Sequence, residues 1–298
     1  RFINTLIFNE FYTVIQNTVI YNFVVIGDFN NDNFHDLIFS AEDNDAISGP
    51  KVTGLYAYTG NGGINWTNSS TGLWPGNAWA GIDLVDADED GYVEYYATDE
   101  NHGTSNSSGV KVWEFRNNIW TDSTTHVNSP LKSARPFGVQ LENISGDSRL
   151  DMVVANGTGM KYFENRGGNP AIWLDKSTGL PTSGMFTALD IADMNKDGLA
   201  DLVFCDYSTN EYLYIQNTSG GFHWSSYSSG FDGPGTCLGV ELEDVNNDTH
   251  MDIVFGCRGS GIYCVLGNSG NVSGTGCAWI SPVGSPGKRY FQHKGCTS

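Results

Sequence analysis

Oxygen-bearing side chains recur with one spacing at five places in the chain. Counting the first of each set as position 1, they stand at positions 1, 3, 5 and 9. Ca²⁺ takes about six to eight oxygen ligands, so these side chains and a carbonyl from position 7 could enclose one ion. The four strongest sets, with position 7 included, are Asp28, Asn30, Asp32, Phe34 and Asp36; Asp86, Asp88, Asp90, Tyr92 and Glu94; Asp193, Asn195, Asp197, Leu199 and Asp201; and Asp244, Asn246, Asp248, His250 and Asp252.

These four loops predict a cofactor set of about four structural Ca²⁺ ions. For any one loop, a solvated acidic turn is the alternative, but the repetition favours metal. An EF-hand would need a Glu at position 12, and the residues there are Phe39, Ala97, Val154, Phe204 and Phe255.

The remaining set predicts a weaker site. It consists of Asn143, Ser145, Asp147 and Asp151, so it carries fewer carboxylates than the others. Arg149 stands within it, and Asn143 is also a glycosylation sequon whose glycan would compete with metal ligation.

The elements that position these loops are predicted to be β-strands. Alternating or β-branched runs such as YNFVVIG and DLIFS flank each loop, and a third apolar run follows. The position-1 residues lie 58, 57, 50 and 51 residues apart. Four strands per repeat at this period predict an all-β fold, a β-propeller of five four-stranded blades with the loops between strands 1 and 2.

A tryptophan marks each expected fourth strand, and its recurrence favours packing between blades over stacking on a sugar. The series is Trp66, Trp120, Trp173, Trp224 and Trp279. Trp74, Trp79 and Trp113 fall outside it and are the better candidates for exposed contacts.

The propeller is expected over residues 20–282, between an N-terminal segment at 1–19 and a C-terminal tail at 283–298. Phe8 lies 20 residues before Asp28, which is the place that a fourth-strand tryptophan holds in later repeats. This surplus strand could close its own ring. Alternatively, residues 1–16 could add to the sheet of a neighbouring molecule.

Composition excludes two classes of partner. With 15 Lys and Arg against 34 Asp and Glu, the formal charge is −19, which argues against nucleic acid. No apolar run of about 18 residues is present, so no membrane insertion is expected. The chain begins at Arg1 and is interpreted as a processed or trimmed chain.

Sequons and cysteines predict an extracellular, secreted glycoprotein. Eight Asn-x-Ser/Thr sequons occur, at Asn65, Asn68, Asn106, Asn143, Asn156, Asn217, Asn247 and Asn271. The six cysteines are Cys205, Cys237, Cys257, Cys264, Cys277 and Cys296, and an even number favours disulfides. Cys257 and Cys264 could bridge a hairpin, and Cys277 and Cys296 could staple the tail; buried free thiols are the alternative.

The five loops in their β context resemble the FG-GAP/VCBS family, which includes the propellers of integrin α-subunits and certain fungal lectins. The resemblance covers roughly residues 20–282. It implies a propeller with mainly structural Ca²⁺, extracellular recognition or adhesion, and no catalysis. Such propellers commonly have seven blades and this chain has five motifs. No matching motif allows the lectins' sugar-site residues to be placed here.

Three functions are therefore compared. The preferred hypothesis is a secreted, calcium-stabilised, non-catalytic module that binds glycans or extracellular proteins. The alternative is a structural subunit of an extracellular filament or coat, assembled by donation of the N-terminal strand. An enzyme is disfavoured, because the chain has no HExxH, GxSxG, P-loop or Rossmann motif and its histidines lack metal-ligand spacing.

Overall fold

The computed structural model describes the chain in thirteen stretches that contain 21 β-strands. These stretches are residues 20–42, 54–63, 65–74, 79–99, 109–124, 136–168, 171–207, 211–217, 224–227, 237–257, 261–267, 277–280 and 292–293.

The strands form five antiparallel sheets in which each strand pairs with the next along the chain. The first sheet contains β1 (Ile20–Gly27), β2 (Asp36–Glu42), β3 (Gly54–Thr59) and β4 (Thr67–Asn68). The second contains β5 (Trp79–Val85), β6 (Glu94–Asp99), β7 (Gly109–Arg116) and β8 (Ile119–Asp122). The third contains β9 (Pro136–Glu142), β10 (Asp151–Asn156), β11 (Gly159–Asn165) and β12 (Trp173–Asp175).

The fourth sheet contains β13 (Phe186–Ala192), β14 (Asp201–Asp206), β15 (Glu211–Asn217) and β16 (Trp224–Tyr227). The fifth contains β17 (Cys237–Glu243), β18 (Asp252–Cys257), β19 (Gly261–Val265), β20 (Cys277–Ile280) and β21 (Gln292–His293). The predicted all-β, propeller-type arrangement is confirmed, and every acidic loop joins the first two strands of a sheet. The closed five-blade ring stays a prediction.

The chain divides into two compact units. The first comprises residues 1–139 and 167–172, and the second comprises 140–166 and 173–298. In the first unit one apolar cluster joins the first two sheets, with Phe29, Ile38, Tyr95 and Trp120 among its members. In the second unit one cluster joins the third and fourth sheets and another joins the fourth and fifth.

The second strand of a sheet is the most deeply buried. Every residue of β6, β10 and β14 is buried, although side chains of a strand alternate between its two faces. Both faces must therefore be covered, which is the packing that radially stacked sheets provide.

One carboxylate ties three first strands together in the second unit. Asp190 on β13 accepts hydrogen bonds from Gln140 Nε2 (2.9 Å) on β9 and from the Leu242 N–H (2.6 Å) on β17. Burial raises the pKa of Asp190, and these hydrogen bonds act in the opposite direction.

The tryptophan predictions are confirmed in part. Trp120 and Trp224 are buried, at 2% and 9% exposure, and pack in the cores as expected, whereas Trp66 and Trp173 are only half-buried. Trp74 is exposed, as predicted. The prediction for Trp113 is wrong: it is 2% exposed because it lies on a buried face of β7 against Tyr95, with ring centroids 6.3 Å apart.

Several expectations fall outside the described residues. They include the side chains of Trp79 and Trp279, residues 1–19 and most of 283–298. The proposed donation of residues 1–16 to a neighbour therefore stays a prediction. The fifth strand of the last sheet is β21, from the C-terminal region, which pairs with β20 through Trp279 opposite His293.

Candidate metal-binding loops

The five loops share one backbone conformation. Positions 4 and 6 have positive φ in every loop, between 60° and 88°. The residues are Asn31 and Asn33, Glu89 and Gly91, Gly146 and Ser148, Lys196 and Gly198, and Asn247 and Thr249. Two residues in the left-handed region, one on each side of position 5, fold the chain into a tight turn, which brings the side chains of positions 1, 3 and 5 to one side. Asn33, Gly91 and Gly198 at position 6 are of the residue types that adopt positive φ most readily.

Side-chain oxygens fix this turn by accepting N–H groups of the same loop. In the fourth loop, Asp193 Oδ1 accepts from Asp197 N (3.0 Å) and its Oδ2 accepts from Gly198 N (2.8 Å). Asp197 Oδ1 accepts from Leu199 N (2.9 Å). The first, second and fifth loops repeat these three bonds. Because position 7 donates its N–H inward, its side chain is free to face solvent, as Phe34 and Tyr92 do.

Position 9 anchors each loop to its sheet. Asp36, Asp151, Asp201 and Asp252 are 0% exposed, and Glu94 is 5% exposed. Asp36 accepts from Phe29 N (3.0 Å) within the loop and from Gly60 N (2.9 Å) just after β3. Asp252 repeats this with Val245 and Gly267. Burial raises the pKa of both Asp36 and Asp252.

The second loop gathers the most negative charge. Asp86, Asp88, Asp90 and Glu94 each offer a carboxylate oxygen, and these four atoms lie within 4.8 Å of one another. Burial, reinforced by repulsion from these carboxylates and opposed by the Ala87 N–H, raises the pKa of Glu94 to about 8. A divalent cation at their centre would relieve this repulsion, and an all-oxygen ligand set suits Ca²⁺ or Mg²⁺ rather than zinc.

Arg116, at the end of β7, contacts the second loop. Its guanidinium bonds Asp90 and lies over the Tyr92 ring, 4.1 Å from the centroid. The sequence does not predict this contact, because Arg116 is 26 residues from Asp90 and the pairing of β6 with β7 brings the two close.

The third loop departs from the other four. Asn143 Oδ1 accepts from Gly146 N (2.9 Å), at position 4, and the Arg149 guanidinium forms an ion pair with Asp147. Arg149 Nε also donates to the Asn165 carbonyl (3.0 Å), which fixes the position of the guanidinium.

The position-9 carboxylate of the third loop is also occupied. Asp151 accepts from Ile144 N (3.1 Å), Ser145 N (2.7 Å), Asn165 N (2.8 Å) and the Tyr162 hydroxyl (3.1 Å). These four hydrogen bonds use the lone pairs that an ion would need. The set Asn143, Ser145, Asp147 and Asp151 therefore fits a cation poorly, and Arg149 supplies a positive charge in its place.

Neighbouring loops touch within each unit. Asn31 Nδ2 of the first loop donates to the Gly91 carbonyl of the second (3.1 Å). Lys196 Nζ of the fourth loop donates to Thr249 Oγ1 of the fifth (3.0 Å). In both cases position 4 of one loop meets position 6 of the next, so the two loops lie side by side.

The sequons differ in accessibility. Asn65, Asn68 and Asn247 are exposed and could carry glycans. Asn156 is 3% exposed at the end of β10, which leaves no room for a glycan on the folded chain. Asn143 is half-buried and uses its side-chain oxygen within the third loop. The side chains of Asn106, Asn217 and Asn271 lie outside the described residues.

Two of the cysteines have described side chains. Cys205 and Cys264 are buried free thiols. Burial raises the pKa of Cys205 to about 12 and that of Cys264 to about 11. Cys296 and the side chains of Cys237, Cys257 and Cys277 lie outside the described residues.

Comparisons with known proteins agree with this fold. A family model described as FG-GAP-like repeat matches residues 143–204 and 193–255. Cartilage acidic protein 1 of Homo sapiens is 28% identical over 205 residues, covering 61% of this chain and 30% of that protein. The Mus musculus protein is 27% identical over 205 residues, with coverages of 61% and 31%. The chain thus spans less than a third of the length of these relatives.

Among solved structures, rhamnogalacturonan lyase YesW aligns with a TM-score of 0.50 at 13% identity, covering 88% of this chain and 52% of the lyase. An Agrocybe aegerita lectin that recognises non-reducing terminal N-acetylglucosamine aligns with a TM-score of 0.49 at 16% identity, covering 86% and 64%. Among the described residues, no helix is long and apolar enough to cross a membrane. The fold and the matched repeats together confirm the resemblance: this chain carries FG-GAP-like repeats on an all-β, propeller-type fold.

Proposed function

We propose that the chain is a calcium-stabilised, non-catalytic recognition module of an extracellular protein, which binds glycans or other extracellular proteins. The observation that supports it most is the common conformation of the loops 28–36, 86–94, 193–201 and 244–252. Each presents oxygen donors at positions 1, 3 and 5 beside a buried acid at position 9.

Calcium would act as a crosslink between the first two strands of a sheet. Position 1 follows the first strand and position 9 begins the second, so one ion would hold both strand ends. Four ions would also reduce the formal charge from −19 to about −11, which lowers self-repulsion in the compact state. The ions are structural in this proposal, because each would join the ends of two neighbouring strands of one sheet.

A role outside the cell is supported by the relatives and by the surface. The curated relatives are named for cartilage, and three sequons are exposed. The proposed protein is therefore secreted and N-glycosylated, with Asn65, Asn68 and Asn247 as the accessible acceptors. The lyase alignment indicates a shared fold only, and the acidic residues of the loops are explained by the repeat.

Calcium dependence is tested by thermal unfolding of the full chain in excess chelator and in 10 mM CaCl₂, with Mg²⁺ as a control. We expect the melting temperature to rise in calcium by at least roughly 5–10 °C, which is the stabilisation from one site, and equilibrium dialysis to show about four bound ions. Coincident unfolding curves, with no bound calcium, would overturn the proposal.

Recognition is tested by probing a glycan array and an extracellular-matrix protein panel with the calcium-loaded chain. Trp74→Ala removes an exposed aromatic ring, and Ile172→Ala is the control because Ile172 is an exposed apolar residue of the same unit. We expect reproducible binding that Trp74→Ala weakens and Ile172→Ala does not. Release of cleaved products from a polysaccharide would instead identify an enzyme.

A further inference from the structure

Four of the six cysteines occupy two directly opposed pairs in the fifth sheet. Cys237 on β17 is the pairing partner of Cys257 on β18. Cys264 on β19 is the pairing partner of Cys277 on β20. Cys205, in contrast, stands on β14 opposite Ala188 and Tyr212.

Opposed positions of antiparallel strands satisfy the distance that a disulfide requires. Their Cα atoms lie about 4.5 or 5.5 Å apart, depending on the hydrogen-bonding pattern, and disulfides span Cα distances of about 4.4–6.8 Å. Two such coincidences in one sheet distinguish this cysteine arrangement from a scatter of buried thiols.

The hairpin bridge considered from the sequence does not fit this register. Cys257 is opposed to Gly261, and Cys264 is three residues further along β19. At about 3.4 Å per residue, the Cα atoms of Cys257 and Cys264 are roughly 10 Å apart, and disulfides do not form beyond about 7 Å without backbone movement.

We propose that the oxidised chain contains two cross-strand disulfides, Cys237–Cys257 and Cys264–Cys277. In each, a sulfur–sulfur bond forms as two thiols give up two protons and two electrons. The acceptor is a disulfide of the glutathione or thiol-oxidoreductase class, which is reduced to two thiols. Cys205 and Cys264 are both free thiols in the structure, which thus corresponds to the reduced form of the second pair, and on oxidation Cys205 would stay a free thiol.

The first bond has a consequence for the fifth loop. Residues 237–257 enclose Asp244–Asp252, so the bond would close the covalent ring that contains this candidate metal site. The second bond would fix β20 to β19, and thus the place of the outer strands in the sheet. Neither bond depends on calcium, so this inference stands or falls separately from the proposed function.

Tryptic cleavage discriminates the pairings. Trypsin cleaves after Lys196, Arg258 and Lys288, and no other Lys or Arg lies between 197 and 287, so Cys205, Cys237 and Cys257 fall on peptide 197–258. Cys264 and Cys277 fall on peptide 259–288. The proposed bonds lie within single peptides, whereas Cys257–Cys264 would link the two peptides and Cys277–Cys296 would link 259–288 to the C-terminal peptide.

The experiment uses the full, deglycosylated chain oxidised with glutathione disulfide, denatured, alkylated and mapped by mass spectrometry without reduction. We expect both peptides to be unlinked and each to lack about two hydrogens, with one alkylated cysteine, Cys205, on 197–258. A second digest at aspartates separates Cys237 from Cys257 and should leave their fragments joined. Links between the tryptic peptides, or alkylation of all four strand cysteines, would overturn the proposal.

Variants give a second measurement. A reductant should lower the melting temperature of the wild type by roughly 5–10 °C per disulfide. In Cys237→Ser and in Cys264→Ser this fall should be smaller, because each variant already lacks one of the two bonds. Cys205→Ser is the matched control: it also replaces a buried thiol, yet it should keep the whole reductant-dependent shift. Equal reductant sensitivity in all three variants would contradict the pairing.

Discussion

Asp147 and Asp197 occupy position 5 of two loops with one backbone conformation, yet their replacement should have different effects. Asp197→Asn in the fourth loop removes a charged ligand from a candidate calcium site. Asp147→Asn in the third loop removes only the partner of Arg149. We expect Asp197→Asn to reduce the stabilisation by calcium and Asp147→Asn to leave it unchanged.

The magnitudes follow from mass action and from exposure. For extracellular sites with dissociation constants near 10⁻⁴ M, 10 mM calcium is about 100 times the dissociation constant, which stabilises the folded chain by about 2.7 kcal/mol per site. In a chain of this size that corresponds to roughly 5–10 °C in melting temperature. The Arg149 and Asp147 side chains are 34% and 31% exposed, so their ion pair contributes about 1 kcal/mol or less, with or without calcium.

The assay is thermal unfolding of the wild type and both variants, in chelator and in 10 mM CaCl₂. The quantity compared is the calcium-induced shift in melting temperature, which cancels any calcium-independent cost of a substitution. The reasoning is refuted if Asp147→Asn loses as much of this shift as Asp197→Asn, or if Asp197→Asn retains all of it.

Three further predictions concern the cores. Tyr162→Phe leaves buried Asp151 without one hydrogen bond and should lower the free energy of unfolding by about 1–2 kcal/mol, equally in calcium and chelator, as measured by urea titration. Trp120→Ala should lower the free energy of unfolding by about 3–5 kcal/mol in the same titration, because it opens a cavity against Phe29 and leaves the Ser69 carbonyl without its hydrogen bond from the indole. A decrease of less than about 1 kcal/mol would count against this packing. Burial raises the pKa of Cys205 from 9.0 to about 12, so between these pH values the folded state keeps the thiol proton and the unfolded state loses it. The contribution of this group to stability should therefore fall as the pH rises from 9 to 12. At pH 8 the thiol of the folded chain should resist iodoacetamide, which mass spectrometry would show as an unalkylated Cys205.

The loops could be predicted from sequence because their chemistry is local. Nine consecutive residues carry the spacing, and in three of the loops Asn or Gly at position 6 favours the left-handed turn. The strands could be predicted equally well, since alternating apolar runs recur at the same period as the loops. Both signals repeat along the chain, so each copy supports the interpretation of the others.

Features that depend on strand pairing could not be predicted from the sequence. The Tyr162 hydroxyl donates to Asp151 across the β10–β11 pair. The sequence does not show which residue of β11 lies beside this carboxylate, because that depends on the strand register. Trp113 falls outside the tryptophan series, which predicts an exposed contact, yet its face of β7 is buried. The cysteine pairs are a third case: spacing along the chain suggested neighbours in sequence, while the register joins different partners.

The side-by-side placement of loops has a consequence for how ions would be taken up. Asn31 joins the first loop to the second, and Lys196 joins the fourth to the fifth, in both cases through a left-handed residue that the turn depends on. An ion that ordered one loop would thereby pre-order its neighbour, so occupancy should be cooperative within each couple. In the third loop the Arg149 guanidinium already compensates Asp147, so this loop should not respond to calcium.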